Sequence, residues 1–253
     1  MNEAVLHSYL TWGLLGLALL TFVSLLFITA PYGRHYDNKG WGPDIPSRVG
    51  WVLMESPAVF FFAFVYFRGQ HALSAVPLVL LGLWQWHYLH RTFVFPFRMR
   101  MGGKSMPLLI AVMGIGFNLL NAYINARFIS ELGRYGQDWL ADPRFLLGGA
   151  LFFTGFVMNV HSDTILRNLR RDGDKDYHIP YGGAYRFVSC PNYLGELLEW
   201  LGWALATWSL GGLAFFIYTA ANLVPRARSH HRWYKEKFSD YPSERKAIIP
   251  GIY

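Results

Sequence analysis

The chain has one cysteine, Cys190, and few charges: Asp, Glu, Lys and Arg make up 15% of its 253 residues. A lone cysteine excludes an intrachain disulfide framework and fits a cytosol-facing position. Soluble domains carry about 25% charged residues, so the shortage argues for a membrane protein. Acids are the scarcer sign, 16 against 23 Lys and Arg, for a formal net charge of +7. Several signatures are missing as well. Gly114-Ile-Gly-Phe-Asn-Leu fails the Gly-x-Gly-x-x-Gly pattern at its last position, which excludes a Rossmann fingerprint. Gly103-Lys-Ser105 resembles the end of a phosphate loop, but Arg98 stands where the first glycine is needed. No Gly-x-Ser-x-Gly or Cys–His arrangement supports covalent hydrolysis. The nine histidines are scattered, so His87-x-x-His90 and His230-His231 fall short of a di-iron box and no metal site is expected. No linker, repeat or low-complexity tract divides the chain, which reads as one unit over 1–253.

What is present is apolar: 53% hydrophobic and 18% aromatic residues. Spanning about 30 Å of hydrocarbon takes about 20 residues as helix. Candidate spans are Leu10–Ile28, Val49–Phe67, Val76–Phe97, Pro107–Ala126, Phe145–Val160, Leu194–Trp208 and Leu210–Leu223. The last two are short and adjoin at Ser209, so they are a hairpin or one bent element. The expected fold is an all-α integral membrane protein. The first segment is too long for a signal peptide and lacks a basic leader, with only Glu3 and His7 charged or titratable before it. Most Lys and Arg fall in one set of loops and the tail: Arg34, Lys39 and Arg48; Arg98, Arg100 and Lys104; Arg167, Arg170, Arg171, Lys175 and Arg186; and seven from Arg226 to Lys246. The positive-inside rule puts these in the cytosol and the N-terminus outside. The +7 charge then reflects topology and anionic membrane lipids, or a basic surface for an anionic cofactor, with no nucleic-acid partner expected. The loop 172–183 is rich in breakers, and the tail Arg226–Tyr253, polar but aromatic, is expected to pack.

Glu55 lies inside the second apolar segment. A charge at membrane depth costs roughly 2.5 kcal/mol or more, so an acid there is rarely without a role. Carboxyls in apolar surroundings favour the neutral form, which donates a hydrogen bond. The alternative is a carboxylate near a helix end, paired with an arginine or wetted by headgroups. Three further clusters carry polar groups. Tyr88, His90 and Arg91 end the third segment, where an interfacial aromatic belt is the plainer explanation. Asn159, Asp163, Arg167 and Arg170 fall at i, i+4, i+8 and i+11, one helical stripe. Such a stripe suits a nucleotide, carboxylate to ribose and arginine to phosphate, or is a set of stabilising Asp–Arg pairs. Asn192, Glu196 and Glu199 at i, i+4 and i+7 form another face, and two acids entering a span are hard to place against lipid.

Several strings together resemble the steroid 5α-reductases: His87-Tyr-Leu-His-Arg-Thr-Phe-Val94, Asn159-Val-His-Ser-Asp-Thr-Ile-Leu-Arg167, Asn192-Tyr-Leu-Gly-Glu-Leu-Leu-Glu-Trp200, Ala204-Leu-Ala-Thr-Trp-Ser-Leu210, and the ending Phe238-x-x-Tyr-Pro-x-x-Arg-Lys-Ala-x-Ile-Pro250. The likeness runs from about Pro31 to the C-terminus. It implies a bundle of seven transmembrane helices with cytosolic loops capping a cofactor cavity. The N-terminal helices would face substrate and about 145–253 would bind cofactor. It further implies NADPH-dependent reduction of the Δ4 bond of 3-oxo-Δ4-steroids, with hydride to C5 and a proton to C4. Glu55 and Tyr88 would polarise the C3 carbonyl. Asn159, Asp163, Arg170, Tyr177, Asn192, Glu196, His230 and Tyr234 match cofactor positions. The protein would be monomeric. Two positions depart from the mammalian pattern. Met54 replaces a Gln before the catalytic Glu, and Met113 aligns with a fourth-span Arg that reaches the far end of the steroid. Weaker discrimination among C17 substituents follows, so progesterone-like lipids are as good a substrate as testosterone. Related readings are a polyprenol or enoyl-thioester reductase and an S-adenosylmethionine-dependent membrane methyltransferase. The latter usually has Arg-His-Pro where this chain has Ser189-Cys-Pro191, and does not need Glu55. A non-enzymatic lipid-binding protein would leave the polar stripes unexplained.

Overall fold

A computed structural model describes residues 2–30, 33–36, 40–99, 103–169 and 176–253. Arg170, and residues 172–175 of the breaker-rich loop, lie outside them. The long apolar runs become helices because buried backbone in an apolar setting must satisfy its own hydrogen bonds. They are α1 (Glu3–Phe27), α2 (Ser47–Tyr66), α3 (Ala75–Leu89), the short α4 (Phe95–Arg98), α5 (Leu108–Arg127), α6 (Pro143–Asn168), α7 (Pro191–Thr207) and α8 (Leu210–Lys237). Two strands, β1 (Asp44–Pro46) and β2 (Ser105–Pro107), pair antiparallel and tie the starts of α2 and α5 together. Among the described residues, four stretches are long and apolar enough to cross a membrane: Glu3–Phe27, Ser47–Tyr66, Leu108–Leu132 and Pro143–Asn168. The helices α3 and α7 are shorter, at 15 and 17 residues. α8 has 28 residues but its C-terminal half is polar.

Local sequence sets the boundaries. Asn2 Oδ1 accepts from Ala4 N and caps α1. Asp142 caps α6 ahead of Pro143 and accepts from the Arg144 side chain and backbone, which holds its carboxyl down to about 2. Leu194–Trp208 and Leu210–Leu223 are separate helices: Trp208 turns left-handed at φ 45° and Ser209 caps α8 by accepting from Gly212 N. The α8 helix runs on to Lys237, so Arg226–Lys237 is not a separate tail. Pro225 is its one proline, and the helix passes through it. Beyond it, Tyr241, Arg245, Ala247 and Ile248 are buried, and Lys246 bridges to Val188.

Two helix contacts position the site. Gly148 and Gly155 on α6 face Gly202 and Gly195 on α7, backbone to backbone. A methyl at Gly195 would lie 2.6 Å from Asn159 N, and one at Gly148 would lie 2.6 Å from Gly202 O. Small residues seven apart let the two helices approach at the distance of main-chain contact. On the other side, Gly114 of α5 packs on Met54 of α2, and Gly50 on Met106. Met113 itself is 58% exposed on the outer surface, so it does not face the interior as the aligned fourth-span Arg was expected to. An aromatic core fills the centre. Trp84 stacks on Phe62 at 4.3 Å and meets Trp203 at 5.2 Å, and Trp200 meets Phe215 at 4.2 Å. At one end α1 is fastened to α5, where Arg127 donates to both Glu3 carboxylate oxygens at 2.6 and 2.8 Å.

Candidate active site

Helix α3 does not end cleanly. From His90 to Val94 the hydrogen bonding is that of a π-helix, an insertion of one residue that recurs at functional sites. Arg91 lies in this segment with its guanidinium turned inward. It sits over Trp51 at 4.6 Å and Phe95 at 4.5 Å. Trp51 Nε1 donates to the Arg91 carbonyl at 3.2 Å. From there Arg91 reaches two acids on different helices: Nε is 3.9 Å from Glu55 Oε1 on α2, and Nη2 is 3.8 Å from Glu196 Oε2 on α7. Asn118 of α5 donates to the Met54 carbonyl at 2.6 Å and to Glu55 Oε2 at 3.4 Å. Glu55 is thus an interior acid with an arginine and an amide beside it.

Tyr88 is one turn before Arg91 and almost wholly buried. Trp84 at 4.8 Å, His87 at 4.9 Å and Trp200 at 5.7 Å surround its ring. An interfacial belt residue would be exposed at headgroup depth; Tyr88 belongs to the core.

The two polar stripes meet because α6 and α7 touch. Asn159 Nδ2 donates to the Asn192 carbonyl at 2.9 Å, and Asn192 Nδ2 donates to Asp163 Oδ1 at 3.0 Å. Glu196, one turn after Asn192 on α7, faces Arg91. His230 forms a second cluster: its Nε2 is 3.2 Å from Tyr193 Oη, its Nδ1 is 3.1 Å from His35 Nε2, and Arg226 Nη2 donates to Tyr193 Oη at 2.9 Å. Tyr177 packs edge-on to Trp233 at 4.9 Å. Tyr234 is buried and stacks on Tyr241 at 5.2 Å. An open cleft beside the α6–α7 stripe is lined by His90, Arg98, Asp163, Thr164 and Arg167 among others.

Of the candidate residues, the fold gathers Glu55, Glu196, Asn159, Asp163 and Asn192 around Arg91 and the α6–α7 seam. Tyr88 lies beside them. His230 sits in a cluster of its own, and Tyr177 and Tyr234 each pack against aromatic partners near the C-terminus. Arg91 as the link, Asn118, His35, Tyr193 and Arg226 were not singled out from the sequence as site residues. Asn118 and Arg91 carried a usable signal, being polar groups inside apolar runs.

Comparison with known proteins gives the family to which the chain belongs. The sequence model of the family described as 3-oxo-5-alpha-steroid 4-dehydrogenase matches residues 104–253. The chain is 44% identical over 257 residues to the steroid 5-alpha-reductase DET2 of Gossypium hirsutum, covering 100% of this chain and 99% of that protein. It is 44% identical over 238 residues to the 3-oxo-5-alpha-steroid 4-dehydrogenase 1 of Rattus norvegicus, covering 93% and 91%. With the Homo sapiens enzyme of that name it shares 45% over 224 residues, covering 88% and 86%. The chain therefore belongs to the 3-oxo-5-alpha-steroid 4-dehydrogenase family of oxidoreductases, which act on CH–CH bonds.

Proposed function

We propose that this protein uses NADPH to reduce the Δ4 double bond of 3-oxo-Δ4-steroids to 5α-dihydro products. The observation that carries the reading is Arg91, which joins Glu55 on one helix to Glu196 on the polar α6–α7 face. An acid suited to a lipid's carbonyl is thereby set beside a face suited to a dinucleotide.

The donor set fits such a cofactor. Asn159, Asp163, Asn192 and Glu196 offer amides and carboxyls for ribose hydroxyls and a carboxamide, while Arg98 and Arg167 in the cleft offer cations for phosphates; Arg170, outside the described residues, is assigned to the cofactor from the family resemblance alone. Tyr177, His230 and Tyr234 complete the binding residues. NADPH supplies the hydride when bound. Glu55 and Tyr88 hold protons directed at the C3 carbonyl oxygen and stabilise the charge that develops there, as oxyanion-hole donors do. The aromatic box around Tyr88 keeps water from that oxygen.

In this reading the helices make seven membrane crossings, with the N-terminus outside and the C-terminus in the cytosol, the cofactor's compartment. Apolar side chains such as Phe27, Phe60, Phe64 and Leu73, exposed on the outer surface, suit contact with lipid. The N-terminal helices take the steroid and 145–253 the cofactor, with Arg91 between them. The protein works as a monomer. Progesterone-like 3-oxo-Δ4 lipids fit a site whose outward-facing Met113 cannot contact a C17 group.

The test is turnover of progesterone with deuterated NADPH by protein purified in lipid. The expected product carries deuterium at C5 on the α face and a solvent-derived hydrogen at C4. A 5β product, or deuterium at C4, would contradict the assignment. NADPH binding without steroid turnover would point instead to another unsaturated lipid.

A further inference from the structure

His87 and Glu199 take no part in the reaction proposed above, yet they meet in the middle of the bundle. His87 Nδ1 lies 2.8 Å from Glu199 Oε1. His87 is 5% exposed and Glu199 0%. Packing alone does not account for them, because well-fitted apolar side chains are generally as stable in such a place or more so. The pair is not a fully satisfied polar network either, since Glu199 Oε2 has no hydrogen-bond partner. A group that costs stability where it sits calls for another role.

Its surroundings indicate which. The imidazole is wedged edge-on between two rings, Tyr88 at 4.9 Å and 76° and Trp200 at 4.5 Å and 64°. Trp84 covers Tyr88 from another side at 4.8 Å. Glu199 reaches His87 because Gly155 lets α6 lie against the Glu199 backbone nitrogen, which fixes α7 and the start of the Glu199 side chain. The hydrogen bond therefore sets the rotation of the imidazole, and the imidazole walls the phenol.

We propose that Glu199 and His87 are a positioning pair for Tyr88, holding its ring in the orientation from which the hydroxyl meets the substrate carbonyl. The inference rests on Tyr88 being a donor to that carbonyl. Neither residue touches substrate; both act through the tyrosine. Misplacing a reacting group by about 1 Å costs as much as about a hundredfold in rate, so a loosened wall is felt in turnover.

The test is a double-mutant cycle on the full-length protein in lipid nanodiscs, reading kcat and KM for progesterone, NADPH affinity by calorimetry, and Tm. His87→Phe keeps a ring and removes the hydrogen bond. It is expected to lower kcat about tenfold, within the range of coupling between contacting residues, with NADPH affinity close to wild type and a lower Tm, because Glu199 is left buried without its partner. In a Tyr88→Phe background the same substitution should cost nothing more, because no hydroxyl remains to be placed. Glu199→Gln, which retains the hydrogen bond, should keep most of kcat, whereas Glu199→Met should fall with His87→Phe. Multiplying losses in the cycle, equal losses for Glu199→Gln and Glu199→Met, or NADPH affinity falling in step with kcat would each overturn the pair's role. Should Glu199→Met fail to fold, the His87 cycle decides alone. Undiminished turnover in Tyr88→Phe by itself would overturn the reading of Tyr88, and the pair's role with it.

Discussion

At the scale of residues, the account separates two kinds of polar group. In the proposed function Glu55 and Tyr88 meet a carbonyl, and Asp163, Asn159 and Asn192 meet a dinucleotide. Substitutions should sort accordingly. Tyr88→Phe removes one donor from the developing charge and should cut kcat by about a hundredfold or more, the usual loss for one oxyanion donor, with NADPH affinity unchanged. Asp163→Ala removes the acceptor that Asn192 donates to and should weaken NADPH binding about tenfold, on the scale of a lost hydrogen bond to a charged group. Calorimetric titration with NADPH alone, beside steady-state kinetics, measures both. Equal loss of affinity in the two variants would erase the distinction. The acids themselves were legible, because an ionisable group in an apolar run stands out without any structure. The part played by Arg91 was not. At the end of an apolar helix it reads as an interfacial anchor, and only the π segment His90–Val94 turns it between Glu55 and Glu196.

Helices and their seams come next. The stripes Asn159–Asp163 and Asn192–Glu196 follow helical periodicity and were visible in the sequence. Their apposition was not read there, although Gly148, Gly155, Gly195 and Gly202, each pair seven apart, held the signal. Gly155→Leu should force α6 and α7 apart, since any side chain there meets the Glu199 and Gly195 backbones. Overpacking of this kind costs about 1–3 kcal/mol, and the Asn159–Asn192 contact should go with it. A lower Tm together with lost NADPH binding is the expected result; an unchanged Tm would show that the seam yields. The C-terminal segment has a weak point of another kind. Ser189 Oγ lies 2.6 Å from both His231 Nδ1 and Tyr241 Oη. Burial, then the charges of Lys235 and Lys246, hold the His231 imidazole below its ordinary value. The unfolded segment binds a proton more readily than the folded one. The contact is thus fully stable above the ordinary histidine range, near 6.5, and is weakened as pH falls from there toward the lowered value. Hydrogen-exchange protection over 238–253, taken relative to the intrinsic exchange rate at each pH, should fall between about pH 7 and pH 5, and His231→Asn should flatten that fall. Protection that does not change with pH would remove His231 from this contact.

For the whole molecule, composition and apolar runs were enough to predict an all-α membrane protein, and each apolar segment is helical. Lengths were less legible. Phe145–Val160 extends to Asn168 and Leu210–Leu223 to Lys237, because polarity ends an apolar run without ending a helix. Contacts between distant parts could not be read from spacing at all. His35 meets His230 across 195 residues, and Tyr193 meets Arg226 between helices. The central claim is that an acid inside the bundle polarises a lipid carbonyl beside a separately built cofactor face. The most direct measurement compares wild type with Glu55→Gln in two assays on the same preparation: 5α-dihydro product formed from progesterone, and NADPH affinity. The account predicts that product falls by about a hundredfold or more while affinity is retained. Turnover left intact, or affinity lost in proportion to turnover, would contradict it.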